Sequence, residues 1–120
     1  MKNWEMNMNI QNIAGYLPVD NNAQIYYEVR GNPAGIPVVF LHGGPGGEFN
    51  EQSFQYFDLN VYKVIAFEQR GCGRSVPQFS LINNTTQYLA SDIEKLRIHL
   101  RINNMVGIWR KLGHNFGFIL

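Results

Sequence analysis

An apolar run, Pro37-Val38-Val39-Phe40-Leu41, leads straight into His42-Gly43-Gly44-Pro45-Gly46-Gly47. Glycines let a backbone turn tightly and bring its N–H groups close to a ligand. At the C-terminal end of a parallel strand such N–H groups face the crevice where ligands bind. There they can stabilise the oxyanion of a tetrahedral intermediate. The competing reading of the same residues is a plain glycine-rich turn. A phosphate loop is excluded, because the Gly-Lys-Ser/Thr ending is missing.

A second segment, Glu68-Gln69-Arg70-Gly71-Cys72-Gly73-Arg74-Ser75, also follows an apolar run. Its Arg70 and Arg74 suit anchoring of carboxylates or backbone carbonyls within the loop. Structural support is the favoured role for this segment. Cys72 lacks a nearby histidine to activate it, so it reads as a small apolar residue and not as a nucleophile.

These segments need elements to position them. Residues 37–41 and 62–67 are short continuous apolar runs, the pattern of strands buried on both faces. Residues 16–19 and 23–29 flank an Asp20-Asn21-Asn22 cluster and read as a β-hairpin. Over residues 85–100, Leu89, Ile93, Leu96 and Leu100 form one helical stripe, with Asn84 as N-cap and Gln87 as its capping-box partner. Strand, glycine loop, helix, strand, helix implies an α/β fold with a parallel sheet.

Together the motifs resemble the prolyl aminopeptidases (proline iminopeptidases), serine peptidases of the α/β-hydrolase fold. The resemblance is carried by P-V-V-F-L-H-G-G-P-G-G, F-E-Q-R-G-C-G-R-S, N-N-T-T and D-I-E-K-L-R-I-H-L, in that order, over about residues 15–104. Glu68 departs from it, since the family usually has aspartate there. The resemblance implies the N-terminal part of an α/β-hydrolase fold with an incomplete sheet. The parent activity would be release of N-terminal proline from peptides, with no metal or organic cofactor. It makes the Gly44 N–H one oxyanion-hole donor, in a loop with His42, Gly43, Pro45 and Gly46. His42 belongs to that loop and is not the catalytic base.

The nucleophile of such a hydrolase sits on a G-x-S-x-G elbow. None of Ser53, Ser75, Ser80 and Ser91 has glycine at both flanking positions. Residues 113–117, Gly-His-Asn-Phe-Gly, imitate the elbow with Asn115 in place of serine, but they lie about four residues too far along for the family block. Another reading fits better. Back-translated from Met105 and shifted forward one base, the chain can spell W-L-V-F-G-G-S-W-G-T-T-L-A-L, the family's strand and elbow at the family's distance. Residues 105–120 are therefore expected to be an out-of-frame tail, from a frameshift or a sequencing error, with Asn115 at the apparent elbow by coincidence. The expected organisation is an extension over 1–14, the hydrolase portion over 15–104 and the tail over 105–120. No catalytic serine, acid or histidine is expected in the chain, the latter two and the cap domain lying past Leu120. The Pro37–Leu41 strand would then lose a neighbour and expose an apolar edge. Arg110 and Lys111 argue against residues 106–112 filling it as a fully buried strand.

Composition narrows the alternatives. Of 120 residues, 45% are apolar and 16% charged, which fits one folded domain. Ten basic and nine acidic residues give a net charge of +1, no basis for a nucleic-acid or anionic-membrane partner. One cysteine and three scattered histidines make a cysteine-rich zinc site unexpected. No signal-peptide core and no spanning apolar run is present, so the expected location is the cytoplasm. The expectation is thus an inactive partial prolyl aminopeptidase. The alternatives are a non-catalytic interaction protein on a partial hydrolase fold, and a fragment of another hydrolase such as an esterase.

Overall fold

The computed structural model describes residues 10–20, 22–42, 49–77, 86–105, 107–112 and 115–119, with backbone alone at 86–87, 107–112 and 115–119. Two strands, β1 (Gln11–Pro18) and β2 (Gln24–Gly31), form the expected antiparallel hairpin, with Leu17 opposite Ile25. Asn22 turns the corner in the left-handed region at φ 59°, a conformation Asn tolerates better than most residues. β3 (Ile36–Leu41) and β4 (Tyr62–Phe67) run parallel, with Val39 beside Ile65. β2 borders β4 antiparallel. The helix α1 (Thr86–His99) follows. β5 (Gly107–Leu112) and β6 (Asn115–Ile119) make a second hairpin, giving the sheet order β1-β2-β4-β3-β5-β6.

The central strands are apolar on both faces because both faces are covered. Leu17, Ile25, Val29, Val39, Leu41, Ile65 and Phe67 form one core with Leu96 and Ile102. Leu89, Ile93 and Leu100 pack against it, so the predicted helical stripe is the face α1 buries. Val38, Phe40, Val64 and Ala66 form the other core with Phe49 and Phe54. Full burial of each such side chain contributes about 1.5–3 kcal/mol.

Two expectations are corrected. The helix expected between β3 and β4 is only a short 3-10 helix, Glu51–Tyr56, begun by a reciprocal capping box between Asn50 and Ser53. The open edge of β3 is filled: β5 pairs with it in parallel, Val39 beside Ile108 and Leu41 beside Arg110. Arg110 stands beside the last residue of β3, and Lys111 lies past that pairing. Phe40, Trp109 and Phe118 occupy one register row across three strands. The predicted caps Asn84 and Gln87 lie outside the described residues and side chains.

Candidate functional site

β3 and β4 end side by side, and each is followed at once by one of the two glycine-containing segments. His42, the first residue after β3, is 1% exposed, and its Nε2 accepts the backbone N–H of Gln69 at 3.0 Å. A ring nitrogen that accepts a hydrogen bond carries no proton, so the neutral ring holds its proton on Nδ1. His42 therefore ties the start of one loop to the loop beyond β4. Residues 43–48, which include Gly43, Gly44, Pro45 and Gly46, lie outside the described residues.

The segment after β4 is organised around its charges. The Glu68 carboxylate is fully buried and accepts the Arg74 backbone N–H at 2.8 Å and its Nε at 2.8 Å. The carboxylate fits there because Gly73, at φ +51°, has no side chain: a Cβ would stand 2.4 Å from the Glu68 carboxyl carbon. The Ser75 hydroxyl donates to the Glu68 carbonyl at 2.5 Å and accepts the Tyr26 N–H at 2.9 Å. This serine is thus committed to holding the loop. Cys72 is free and buried.

Arg70 reaches out of its loop. Its Nε and Nη2 grip Asp92 of α1 at 2.7 and 2.8 Å, and it also pairs with Asp20 of the β1–β2 turn. One guanidinium thereby fastens turn, loop and helix, a bidentate geometry that lysine could not supply. The hydrogen bond from Arg70 holds the Asp20 carboxyl below the usual carboxylate range. The same pair with Asp92 raises the Arg70 guanidinium above its ordinary value, keeping it charged.

A second network borders a cleft of about 330 Å³ lined by Glu28, Phe49, Asn50, Glu51 and Arg74. Arg30 bridges Glu28 at 2.6 Å and Glu51 at 2.5 Å, while Arg74 lies 4.1 Å over the Tyr26 ring. Burial, aided by the hydrogen bond to Glu28, pushes the Tyr26 phenol up. Sequence reasoning placed Arg74 correctly in its loop but missed Glu28 and Arg30, two residues apart on β2, and Glu51, which Arg30 meets only across 21 residues. It also passed over Gln69, whose side-chain amide nitrogen is buried without a hydrogen-bond partner among the described residues. No group of three or more potential metal ligands occurs among the described residues.

Among the described serines, the Ser53 hydroxyl accepts the Asn50 N–H within the capping box of the 3-10 helix, Ser75 is engaged as above, and Ser91 lies within α1. Asn115 opens β6 opposite Leu112, so the backbone around it runs strand to strand, whereas a nucleophile elbow runs strand to helix.

Comparison with known proteins places these features. Residues 36–109 match the alpha/beta hydrolase fold family. The chain is 47% identical over 106 residues to a proline iminopeptidase of Xylella fastidiosa, covering 88% of this chain and 33% of that protein. It is 50% identical over 107 residues to a probable proline iminopeptidase of Leptolyngbya boryana, covering 89% and 32%. Among solved structures, a proline iminopeptidase-related protein of Thermus thermophilus superposes with a TM-score of 0.69 at 31% identity, over 83% of this chain and 36% of that one. The chain thus spans about a third of the length of the curated relatives it matches.

Proposed function

This chain belongs to the α/β-hydrolase fold family, and from that premise we propose that it carries the oxyanion-side framework of a prolyl aminopeptidase without the residues that attack the substrate. The observation that supports this most is the bond between His42 and Gln69, which joins the two motif segments at the C-terminal ends of β3 and β4. Ligands of open α/β sheets bind at those ends. In the intact arrangement the Gly44 N–H donates to the oxyanion, within the loop of His42, Gly43, Pro45 and Gly46. A second N–H follows the nucleophilic serine. Serine attack on the prolyl carbonyl would break the Pro–Xaa amide bond, expel the protonated Xaa amine and leave a prolyl-enzyme ester, which water then hydrolyses to free proline.

In this reading residues 1–14 are an extension, 15–104 the hydrolase portion and 105–120 an out-of-frame tail, with Asn115 carrying no catalytic role. The substrate class of the intact enzyme is a peptide with N-terminal proline, handled without metal or organic cofactor. The near-neutral charge supports the absence of a nucleic-acid partner. No helix among the described residues is long and apolar enough to cross a membrane, and a cytoplasmic location is part of the same proposal.

The test is hydrolysis of proline β-naphthylamide by the purified 120-residue protein, freed of host peptidases. The expected rate equals the blank. Turnover that copurifies with the protein would refute the loss of the attacking group. A second reading, a non-catalytic binding protein, is favoured by the pairing of β5 with β3, which closes the edge an incomplete sheet would expose. A cooperative melt with dispersed amide resonances supports it, and a molten chain opposes it.

A further inference from the structure

The sheet has a second concavity at the opposite end of its parallel strands. A cleft of about 390 Å³ lies where β3 and β4 begin, lined by Pro37, Lys63, Arg101, Ile102, Asn103 and Asn104 among others. No aspartate or glutamate among the described residues lines it. Lys63 stands in register beside Gly31 of β2 and Pro37 of β3, so its backbone is fixed on two sides. By strand alternation it shares a face with Ile65 and Phe67, the face that α1 covers.

Arg101 reaches the same cleft from the end of α1. Its N–H bonds the Ile98 carbonyl at 3.0 Å, and the Ile102 N–H bonds the Arg97 carbonyl at 3.0 Å, with Arg101 at φ 58°. This is the helix-ending Schellman pattern, whose left-handed position favours glycine. An arginine there works against local preference, which directs attention to what its side chain does. The carbonyls of Ile102 and Asn103, just past the helix, are already served by Arg97 at 2.7 and 3.1 Å, so Arg101 is not needed there. Arg30, Arg70, Arg74 and Arg97 each pair with a carboxylate. Arg101 and Lys63 have no ion-pair partner among the described residues.

We propose that this cleft is a phosphate-binding site, taking free phosphate or the phosphate of a small phosphomonoester. Two cations and two asparagine amides without an opposing carboxylate match a dianion. Arginine supplies planar donors and lysine a point charge. The site is separate from the one at His42, about 20 Å away along strands of this length, and does not depend on the hydrolase reading.

The test follows amide resonances of the full chain during titration with inorganic phosphate, then glycerol phosphate, at low ionic strength where such contacts are least screened. Saturable shifts confined to the neighbourhood of Lys63, Arg101, Asn103 and Asn104 are expected. Lys63→Gln and Arg101→Gly each weaken binding by about tenfold. Arg101→Gly also raises the melting temperature, since glycine relieves the left-handed backbone, so its loss of binding is not a loss of fold. Lys95→Gln, an exposed lysine on α1 outside the cleft, leaves binding unchanged. Tighter binding of the ester identifies an organic phosphate as the ligand, and equal affinities identify free phosphate. Shifts that do not saturate, that spread over all cationic side chains, or that retain the original affinity in Arg101→Gly overturn the proposal.

Discussion

The Nε2 of His42 accepts the backbone N–H of Gln69 at 3.0 Å, across 27 residues of sequence. That bond makes the histidine of the glycine loop a structural acceptor and removes it from proton transfer through that nitrogen. Long-range proton–nitrogen correlation at neutral pH is expected to show Nε2 unprotonated and Nδ1 carrying the proton. A protonated Nε2 would contradict the assignment. His42→Ala leaves the Gln69 N–H without its acceptor and is expected to cost about 1–3 kcal/mol in urea unfolding.

Gly73→Ala tests the packing of Glu68. The added methyl meets the buried carboxylate, and the residue must hold φ +51°. A loss of about 1–3 kcal/mol is expected, read as a lower urea midpoint at unchanged slope. An unchanged midpoint would show that the Glu68 carboxylate does not occupy that position.

Asp92→Ala tests the buried Arg70 link. It leaves a guanidinium, 4% exposed, without its bidentate carboxylate. Breaking one side of a buried pair typically costs about 3–5 kcal/mol, and a loss of that order is expected from thermal or urea unfolding. Asp20→Ala is expected to cost less, because that carboxylate is partly in water and the Asp92 grip remains.

Acid should loosen the same contacts. Hydrogen bonds from Arg70 and Arg30 hold the Asp20 and Glu51 carboxyls below their ordinary values. A folded value below the unfolded one means that the stabilisation is complete above the unfolded value of about 4 and is lost as pH falls through the folded value. Urea midpoints from about pH 6 downward should therefore hold steady and then drop below about pH 4. The Asp20→Asn, Glu51→Gln double variant should show a shallower drop. An identical acid slope in the variant would contradict the ion-pair account.

What the sequence disclosed follows from the range of each interaction. The stripe of Leu89, Ile93, Leu96 and Leu100 and the apolar runs of β3 and β4 are local periodicities, and they appear in the fold as expected. The Asp20–Asn22 cluster marked a hairpin through its own turn chemistry. Glu28, Arg30 and Glu51 escaped notice because Arg30 and Glu51 are 21 residues apart and meet only after the chain crosses back. The 3-10 helix replaced a longer helix because residues 51–56 bury just one side chain, Phe54. β5 was discounted on the charges of Arg110 and Lys111, yet its backbone pairs with β3 through residues 107–110. At the candidate site, His42 and the segment from Glu68 to Ser75 were legible as motifs. Arg101 was not, since a left-handed arginine leaves no trace in residue types alone.

The codons for residues 105–120 test the central claim most directly. In the register one base forward, the glycine two places before the serine is forced by Trp109 and Arg110. The serine itself requires AAG at Lys111, and the closing glycine requires GGG at Gly113. Finding both codons is the predicted result, and it would place a complete G-x-S-x-G elbow in the neighbouring frame. AAA at Lys111, or any other glycine codon at Gly113, would contradict the account and leave residues 105–120 as this protein's own sequence.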